Sequence, residues 1–179
     1  ACWYSLNSGA ANTTITCGEN VSSLSSSQGS NTWTVYANDS ANNQNSSSVT
    51  FFVDSIIPLI AFVQPTQINN SILPQNNIFI NVSVTETNEN TITFTFFNST
   101  SLINQTIFTN QQRTINFTSL TDGIYFYNVS INDTLNNQNS TETRTITLDT
   151  TLPLITSLTE SPQNGSVYSQ GQTYQFNAT

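Results

Sequence analysis

Apolar and polar residues alternate with a period of two along most of the chain, as in half-buried β-strands. The alternation is clearest over residues 78–84, 92–96 and 125–131. Shorter stretches that fit the same pattern are 60–65, 106–109, 115–117 and 143–148. No apolar stripe has the 3.6-residue period of an amphipathic helix. The pattern predicts an all-β chain.

An internal repeat of about 95 residues organises these strands. Asn38-Asp39 and the NNQNS run after it recur 94 residues later, at Asn132-Asp133 and its own NNQNS run. The PLI sequence at 58–60 recurs 95 residues later at 153–155. A fixed period of this kind indicates modules that follow one another along the chain.

The repeat predicts three parts. Residues 1–57 form the C-terminal part of one domain, 58–152 a complete domain, and 153–179 the N-terminal strands of a further domain. In this register residue 1 begins a third strand and residue 179 ends a second one. We therefore expect either a window on a longer tandem array or separate subunits that interlock by exchanging strands.

The complete unit has the strand content of an immunoglobulin-like β-sandwich, with seven short strands in about 95 residues. Its LTDGIY segment, Leu120 to Tyr125, has the spacing of a tyrosine corner. The first unit has Asn31 at the position of that tyrosine. The predicted fold class is thus all-β, with tandem immunoglobulin-like β-sandwich domains.

Composition excludes several classes of function. Asn, Ser and Thr occupy 79 of the 179 positions, and the formal net charge is −8. Arg113 and Arg144 are the only cations, so the basic surface that nucleic-acid binding needs is absent. The sequence has no His and no Lys, which excludes His-based zinc sites, Ser-His triads and Lys Schiff bases. The 19 aromatic residues argue against disorder.

No segment of this sequence has the length or the composition of a membrane span. The most apolar stretch, 51–63, is interrupted by Asp54, Ser55 and Pro58. It is also shorter than the roughly 20 residues that a spanning helix needs. We expect no membrane insertion in this segment.

The two cysteines, Cys2 and Cys17, flank a stretch that can turn near Ser8-Gly9. Two strands joined by that turn would bring the thiols together in a disulfide, which implies an oxidising compartment. The alternative is two free buried thiols in a cytosolic protein. A redox or metal role lacks both the CxxC spacing and a third ligand.

Fourteen N-x-S/T sequons are candidate N-glycosylation sites, where random placement of these residues would give about eight. Several fall on the polar phase of a predicted strand, opposite the inward Ile, Val, Phe and Tyr. The alternative is that Asn simply fills exposed polar positions. The sequons are at Asn12, Asn20, Asn38, Asn45, Asn69, Asn81, Asn98, Asn104, Asn116, Asn128, Asn132, Asn139, Asn164 and Asn177.

The chain resembles the immunoglobulin-like repeats of large bacterial and archaeal surface proteins. The resemblance rests on C-x-Y-S-L-x-x-G at the start, G-x-x-x-W-x-V-x-A-x-D-x-x-x-N from Gly29 and V-D-x-x-x-P from Val53. It is most similar to the Asn/Ser/Thr-rich type of archaeal envelope proteins. The resemblance implies an extracellular location at the cell surface and says nothing specific about a ligand.

The resemblance also implies that calcium could stiffen the junctions, as in related adhesin arrays. The candidate ligands are the recurring acids Asp39, Asp54, Asp133 and Asp149. The competing interpretation is that these side chains bond their own backbone at turns. No other cofactor is expected.

These observations predict a non-catalytic structural segment of an extracellular array, stalk or filament. Its expected partners are neighbouring copies or further repeats of the same chain, and covalent glycans. The alternatives are an adhesin stalk or module that recognises a glycan or protein, and a filament subunit assembled by inter-chain strand complementation. Glu86 and Glu89 are a conceivable catalytic carboxylate pair, but they lie in a single turn rather than in a cleft, so we expect no enzyme.

Overall fold

A computed structural model describes residues 1–7, 12–161, 165, 167, 170–171, 173 and 175–179. The turn expected near Ser8-Gly9 and the sequon at Asn164 lie outside the described residues. Within them the chain forms strands and no α-helix: β1 (Cys2–Leu6), β2 (Thr13–Ile15), β3 (Gly29–Asn38), β4 (Gln44–Val53), β5 (Leu59–Phe62), β6 (Ser71–Leu73), β7 (Ile78–Thr85), β8 (Glu89–Asn98), β9 (Leu102–Phe108), β10 (Thr114–Phe117), β11 (Gly123–Asp133), β12 (Gln138–Ser140), β13 (Arg144–Leu148), β14 (Leu158–Ser161) and β15 (Gln175–Ala178).

The middle of the chain is a sandwich of two sheets. One sheet has the order β10-β7-β5, and the other has the order β6-β13-β11-β8-β9 with β12 added to β11. Inward side chains of both sheets form one core, because successive residues of a strand point to opposite faces. The core includes Ile78, Ile80, Phe94, Tyr127 and Ile146, each with 0% of its surface exposed.

The N-terminal part forms one sheet of order β2-β1-β3-β4, in which all neighbours are antiparallel. Its register matches the middle sheet strand for strand. Trp33 lies opposite Leu6 as Tyr127 lies opposite Phe96, so β1 and β3 correspond to β8 and β11. Strand β4 corresponds to β12 and β13 together. The C-terminal part forms a separate hairpin of β14 and β15.

The fold-class prediction, all-β with immunoglobulin-like β-sandwich architecture, is confirmed by this strand order. The tyrosine corner is also confirmed, because the Tyr125 hydroxyl donates to the Thr121 carbonyl at 2.9 Å. Asn31, at the same repeat position, donates from Nδ2 to the Ser27 carbonyl at 2.6 Å. An amide thus makes the equivalent bond, to the residue four positions earlier. The domain boundaries at 57/58 and 152/153 stay predictions.

The strand inventory between residues 59 and 148 differs from the seven expected, since nine strands form there. Alternation does not reveal β6 and β12, because each has three residues and is defined by its pairing with β13 or β11. Strand β9 was expected over 106–109 but begins at Leu102. Asn104 and Gln105 interrupt the alternation of apolar and polar residues. The strand nevertheless includes them, because they pair with β8.

Across the described part of the chain, no helix has the length and hydropathy that crossing a bilayer requires.

Candidate functional site

The recurring acids Asp39 and Asp133 build two copies of one turn. In the first, Asp39 Oδ1 accepts from the amides of Ala41 and Asn43, and Oδ2 accepts from Asn43 Nδ2. In the second, Asp133 accepts in the same way from Leu135 and Asn137. These are the local side-chain-to-backbone bonds that Asp makes at turns.

The left-handed residue that closes each turn is an asparagine. Asn42 and Asn136 both have φ of 65°, a conformation that Asn tolerates better than most residues. The NDxxNN sequence is therefore explained by the turn geometry: Asp supplies the acceptors, and the two asparagines supply the left-handed residue and the amide donor.

Hydrogen bonding sets the acidity of both carboxylates. The side chain and the backbone amide of Asn43 hold the pKa of Asp39 below its usual value. For Asp133, burial acts to raise the pKa, but the bonds from Asn137 and Leu135 outweigh it and the pKa is lowered. Asp133 is fully buried, and it stays ionised because each oxygen has donors.

The segment between β4 and β5 is the junction between the N-terminal sheet and the sandwich, and both sides hold it. From the N-terminal sheet, Gln28 Nε2 donates to Ser55 Oγ at 2.8 Å, and the Ser55 amide donates back to Gln28 Oε1. From the sandwich, Asn88 Nδ2 donates to Asp54 Oδ2 at 2.8 Å, and Asn137 Nδ2 donates to the Asp54 carbonyl at 3.0 Å.

The anchoring from the preceding unit recurs one repeat later. Asp122, which is 94 residues after Gln28, accepts from the amide and hydroxyl of Thr150 and from the hydroxyl of Thr151. These bonds lower the pKa of Asp122, with the Thr150 hydroxyl as the largest cause. Asp149 accepts from the Thr151 amide just as Asp54 accepts from the Ile56 amide. The junction is thus a property of the repeat.

The structure brings together two of the four predicted calcium ligands. Carboxylate oxygens of Asp54, Glu86 and Asp133 all lie within 4.8 Å of one another at the first junction. Glu86 was not expected in this group; its carboxylate accepts from the Asn88 amide at 2.7 Å. Asp39 and Asp149 are not in the cluster. Bonds from Asn137, Asn88 and backbone amides already satisfy oxygens of Asp54 and Asp133.

The conceivable pair of Glu86 and Glu89 is divided between two structural roles. Glu86 faces the junction, whereas Glu89 forms a bidentate ion pair with Arg113, with one N–O distance of 2.8 Å. The Glu89 side chain is 2% exposed, so a substrate has little access to it.

The structure sorts the sequons by exposure. Exposed asparagines of this set are Asn12, Asn20, Asn45, Asn69, Asn104, Asn116 and Asn177. Partly buried ones are Asn38, Asn81, Asn98, Asn128, Asn132 and Asn139. Three of the second group donate from Nδ2, the atom that a glycan would modify: Asn81 to the Gln64 carbonyl, Asn128 to Thr143 and Asn139 to the Pro58 carbonyl.

Cys2 and Cys17 form a disulfide across the β1–β2 hairpin, with their Cα atoms 5.3 Å apart. This pairing is the one that the sequence predicted.

Two aromatic pairs lie on strand surfaces. Trp3 stacks on its cross-strand neighbour Tyr36, with ring centroids 5.5 Å apart and planes 7° from parallel. Phe97 stacks on Phe126 at 5.8 Å. Strand pairing therefore supplies a ring partner to Trp3 and to Phe97.

Sequence reasoning missed the side chains that anchor the junctions. Asn137 belongs to the recurring NNQNS run, so the signal was present in the repeat. Gln28 and Asp122 occupy the same position of the repeat but are different residue types. A comparison of identical residues between the repeats therefore does not find them. Asn88 acts from the turn before β8 and belongs to none of the motifs that recur within this sequence.

Comparison with known proteins gives fold-level likeness only. No family model and no curated protein matches this sequence. Among solved structures, the fibronectin(III)-like modules of Clostridium thermocellum CbhA are 13% identical, cover 53% of this chain and 100% of theirs, and have a TM-score of 0.39. A chimeric titin Z1Z2-Z1Z2 tandem is 14% identical, covers 83% of this chain and 82% of its own, and has a TM-score of 0.31.

A third match, the dimeric latent PorU of Porphyromonas gingivalis, is 12% identical with a TM-score of 0.37. It covers 82% of this chain but 16% of PorU. All three TM-scores are below 0.5, so the fold assignment stands on the strand order and register of this chain.

Proposed function

We propose that this chain is a non-catalytic structural segment of an extracellular surface array, stalk or filament, and that it is N-glycosylated. The observation that carries the proposal is the anchored junction after β4, whose anchor from the preceding unit and whose Asp recur 94 to 95 residues later. Side chains from both neighbours hold the first linker, and Asp122 of the preceding unit holds the second. Bonds of this kind restrict hinging between modules.

The chemistry of the surface supports an extracellular role. The Cys2–Cys17 disulfide is of the kind that persists in oxidising compartments. The exposed strands carry amides and hydroxyls rather than ions, and glycans on exposed sequons would add solubility and protease resistance. We also propose that the chain is of the archaeal envelope type, on the basis of its sequence motifs.

The proposal contains no catalytic centre and no cofactor. Glu89 is engaged by Arg113, and the oxygens of Asp39 and Asp133 are engaged by their own turns. The calcium prediction at Asp39, Asp54, Asp133 and Asp149 stays a prediction, because hydrogen bonds account for these carboxylates without a cation. The proposed partners are neighbouring repeats, further copies and covalent glycans.

Adhesion is the second candidate, and the Trp3–Tyr36 pair favours it. Sugar rings stack on aromatic side chains, and both rings of this pair are partly exposed. A glycan-binding role predicts that Trp3→Ala abolishes binding in a glycan array while Phe97→Ala, at the other aromatic pair, leaves it. Binding that survives both substitutions would exclude these surfaces as the adhesive site.

Intact mass of the protein from its natural source tests the main proposal. We expect carbohydrate mass at several sites, removed by chemical deglycosylation, and retention of the disulfide under non-reducing conditions. An unmodified polypeptide mass would contradict the glycoprotein assignment.

A further inference from the structure

A cavity of about 490 Å³ lies on the outer face of the sandwich, in the sheet that contains β8, β11 and β12. Along β8 and β11 its polar lining residues alternate with the buried Ile92, Val129 and Ile131, so they point away from the core. The volume is in the range of cavities that hold a small ligand. The polar lining forms two rows of cross-strand neighbours: Thr93, Ser130 and Ser140 in one row, and Thr91, Asn132 and Gln138 in the other.

The lining of this cavity is polar and uncharged. Its six outward side chains are hydroxyls and amides, which can donate and accept hydrogen bonds at once. No carboxylate and no cation lines the cavity, so it lacks the charged groups that hold a metal ion or a phosphate. A neutral ligand with many hydroxyls, such as a sugar ring, matches this lining.

One of the lining residues, Asn132, is also the asparagine of a sequon. Its Oδ1 accepts from the Thr91 amide at 3.2 Å and from the Thr91 hydroxyl, which together fix the side-chain amide. Its Nδ2 has no hydrogen-bond partner among the described residues, and it is not a buried unpaired atom, so it is open to solvent. The atom that a glycan modifies is therefore available at the edge of the cavity.

The neighbouring sequons on either side differ in this respect. Asn128 donates from Nδ2 to the Thr143 hydroxyl, and Asn139 donates from Nδ2 to the Pro58 carbonyl. At Asn132 the structure instead engages the oxygen, which keeps its lone pairs when the nitrogen is modified. Attachment at Asn132 thus breaks no hydrogen bond of the described structure.

We propose that Asn132 is glycosylated and that its first sugar ring lies in this cavity, where the hydroxyls and amides of its two rows bind it. Attachment joins Nδ2 to the anomeric carbon of the sugar and breaks the bond from that carbon to the phosphate of a glycosyl phosphate donor. Nδ2 gives up one proton, and the phosphate leaves with the bonding electron pair. This inference rests on the proposed function of a glycoprotein and names the seat of one of its glycans.

A sugar in this position bridges three strands. It contacts β8 through Thr93, β11 through Ser130 and β12 through Ser140. Strand β12 has three residues and pairs with β11 alone in its sheet, so it is the element that such a bridge would steady most. We therefore expect the seated sugar to slow the local opening of β12.

Hydrogen–deuterium exchange of the glycosylated protein, expressed in its source organism, tests this expectation. Thr134→Ala removes the hydroxyl residue of the Asn132 sequon, and Thr134 is exposed. We expect this variant to lose the glycan at Asn132 and to exchange the amides of residues 138–140 about fivefold faster. Thr118→Ala is the matched control, because it removes the Asn116 sequon from an equally exposed threonine; exchange at 138–140 should not change.

A second variant separates attachment from seating. Thr93→Phe fills the cavity and leaves the Asn132 sequon intact. We expect glycopeptide mass spectrometry to find Asn132 still occupied, and exchange at 138–140 to be as fast as in Thr134→Ala. In the unglycosylated chain both substitutions should leave exchange at 138–140 unchanged, which assigns the effect to the sugar rather than to the altered side chain.

The outcomes distinguish this proposal from the proposed function. An unmodified Asn132 in a protein that carries glycans at other sequons would overturn the proposal and leave the proposed function intact. An occupied Asn132 with exchange at 138–140 unaffected by Thr134→Ala, or by Thr93→Phe, would also overturn it, because the sugar would then lie outside the cavity. Absence of carbohydrate from every sequon would overturn both.

Discussion

At the scale of single residues, one repeat position can serve different roles. Asn45 and Asn139 are both sequon asparagines at equivalent positions in the repeat. Asn45 is exposed on β4, whereas Asn139 donates from Nδ2 to the Pro58 carbonyl at 2.8 Å. From the sequence alone, glycosylation is equally expected at both asparagines. They differ only in the structure, where Asn139 contacts the junction.

Glycan occupancy should follow that contact. We expect Asn45 to be glycosylated and Asn139 to be unmodified, since a glycan on Nδ2 would displace the bond to Pro58 and crowd the junction. Site-resolved glycopeptide mass spectrometry of the natural protein measures both occupancies in one sample. Equal occupancy would show that the junction does not protect Asn139.

Acid sensitivity is also decided by individual side chains. Hydrogen bonds lower the pKa of Asp39 and of Asp133 in the folded state, below the unfolded value of about 3.9. Their contribution to stability is therefore complete above that value and is lost as the pH falls through the folded pKa. We expect the Tm to fall steeply below about pH 4.

The double substitution Asp39→Asn, Asp133→Asn should lower the Tm at neutral pH and flatten its decline in acid. Thermal unfolding followed by circular dichroism between neutral pH and pH 2 measures both effects. An unchanged acid slope in the double variant would mean that other carboxylates control it.

At the scale of elements, the short hairpin of β1 and β2 depends on its crosslink. Strand β2 has three residues and pairs only with β1 in the described sheet. The disulfide closes a loop of 15 residues, which is worth about 3 kcal/mol in the loop-entropy treatment.

The double substitution Cys2→Ser, Cys17→Ser should therefore lower the free energy of unfolding of the N-terminal sheet by about 3 kcal/mol. Urea unfolding followed by Trp fluorescence reports on this sheet, because Trp3 and Trp33 are both in it. A reducing agent should destabilise the unaltered protein by the same amount and leave the double variant unaffected. A loss well under 1 kcal/mol would assign the hairpin's stability to strand pairing.

The linker after β4 offers a matched pair of variants. Asn137 and Asn43 each donate to the Asp of their own turn, but only Asn137 also reaches the Asp54 carbonyl. We expect Asn137→Ala to speed hydrogen–deuterium exchange at residues 54–57, and Asn43→Ala to leave that exchange unchanged. Similar exchange in both variants would contradict an anchored junction.

The sequence predicts elements well where burial produces alternation and less well where pairing alone defines them. Ile78, Phe94 and Tyr127 were identifiable as inward residues because their strands have one buried face. Strand β6 was not, since three residues beside β13 carry no period. The sequence predicts only part of the junction. Asp54 is marked by its recurrence, but Glu86 and Asn88 come from a turn whose position depends on the folded sandwich.

At the scale of the whole molecule, the same local bonds of carboxylates recur at a separation of 94 to 95 residues, in the Asp39 and Asp133 turns and in the two linkers. The middle unit shows the complete arrangement, in which two sheets bury a common core. The N-terminal sheet and the C-terminal hairpin show its two separate layers. The sequence is rich in amides and hydroxyls and poor in charged side chains.

The central claim, a structural role in an extracellular array, is tested most directly by immunogold electron microscopy of intact cells of the source organism, with an antibody against the sandwich. We predict labelling of unpermeabilised cells in ordered rows or along filaments. Labelling that appears only after permeabilisation would contradict the claim.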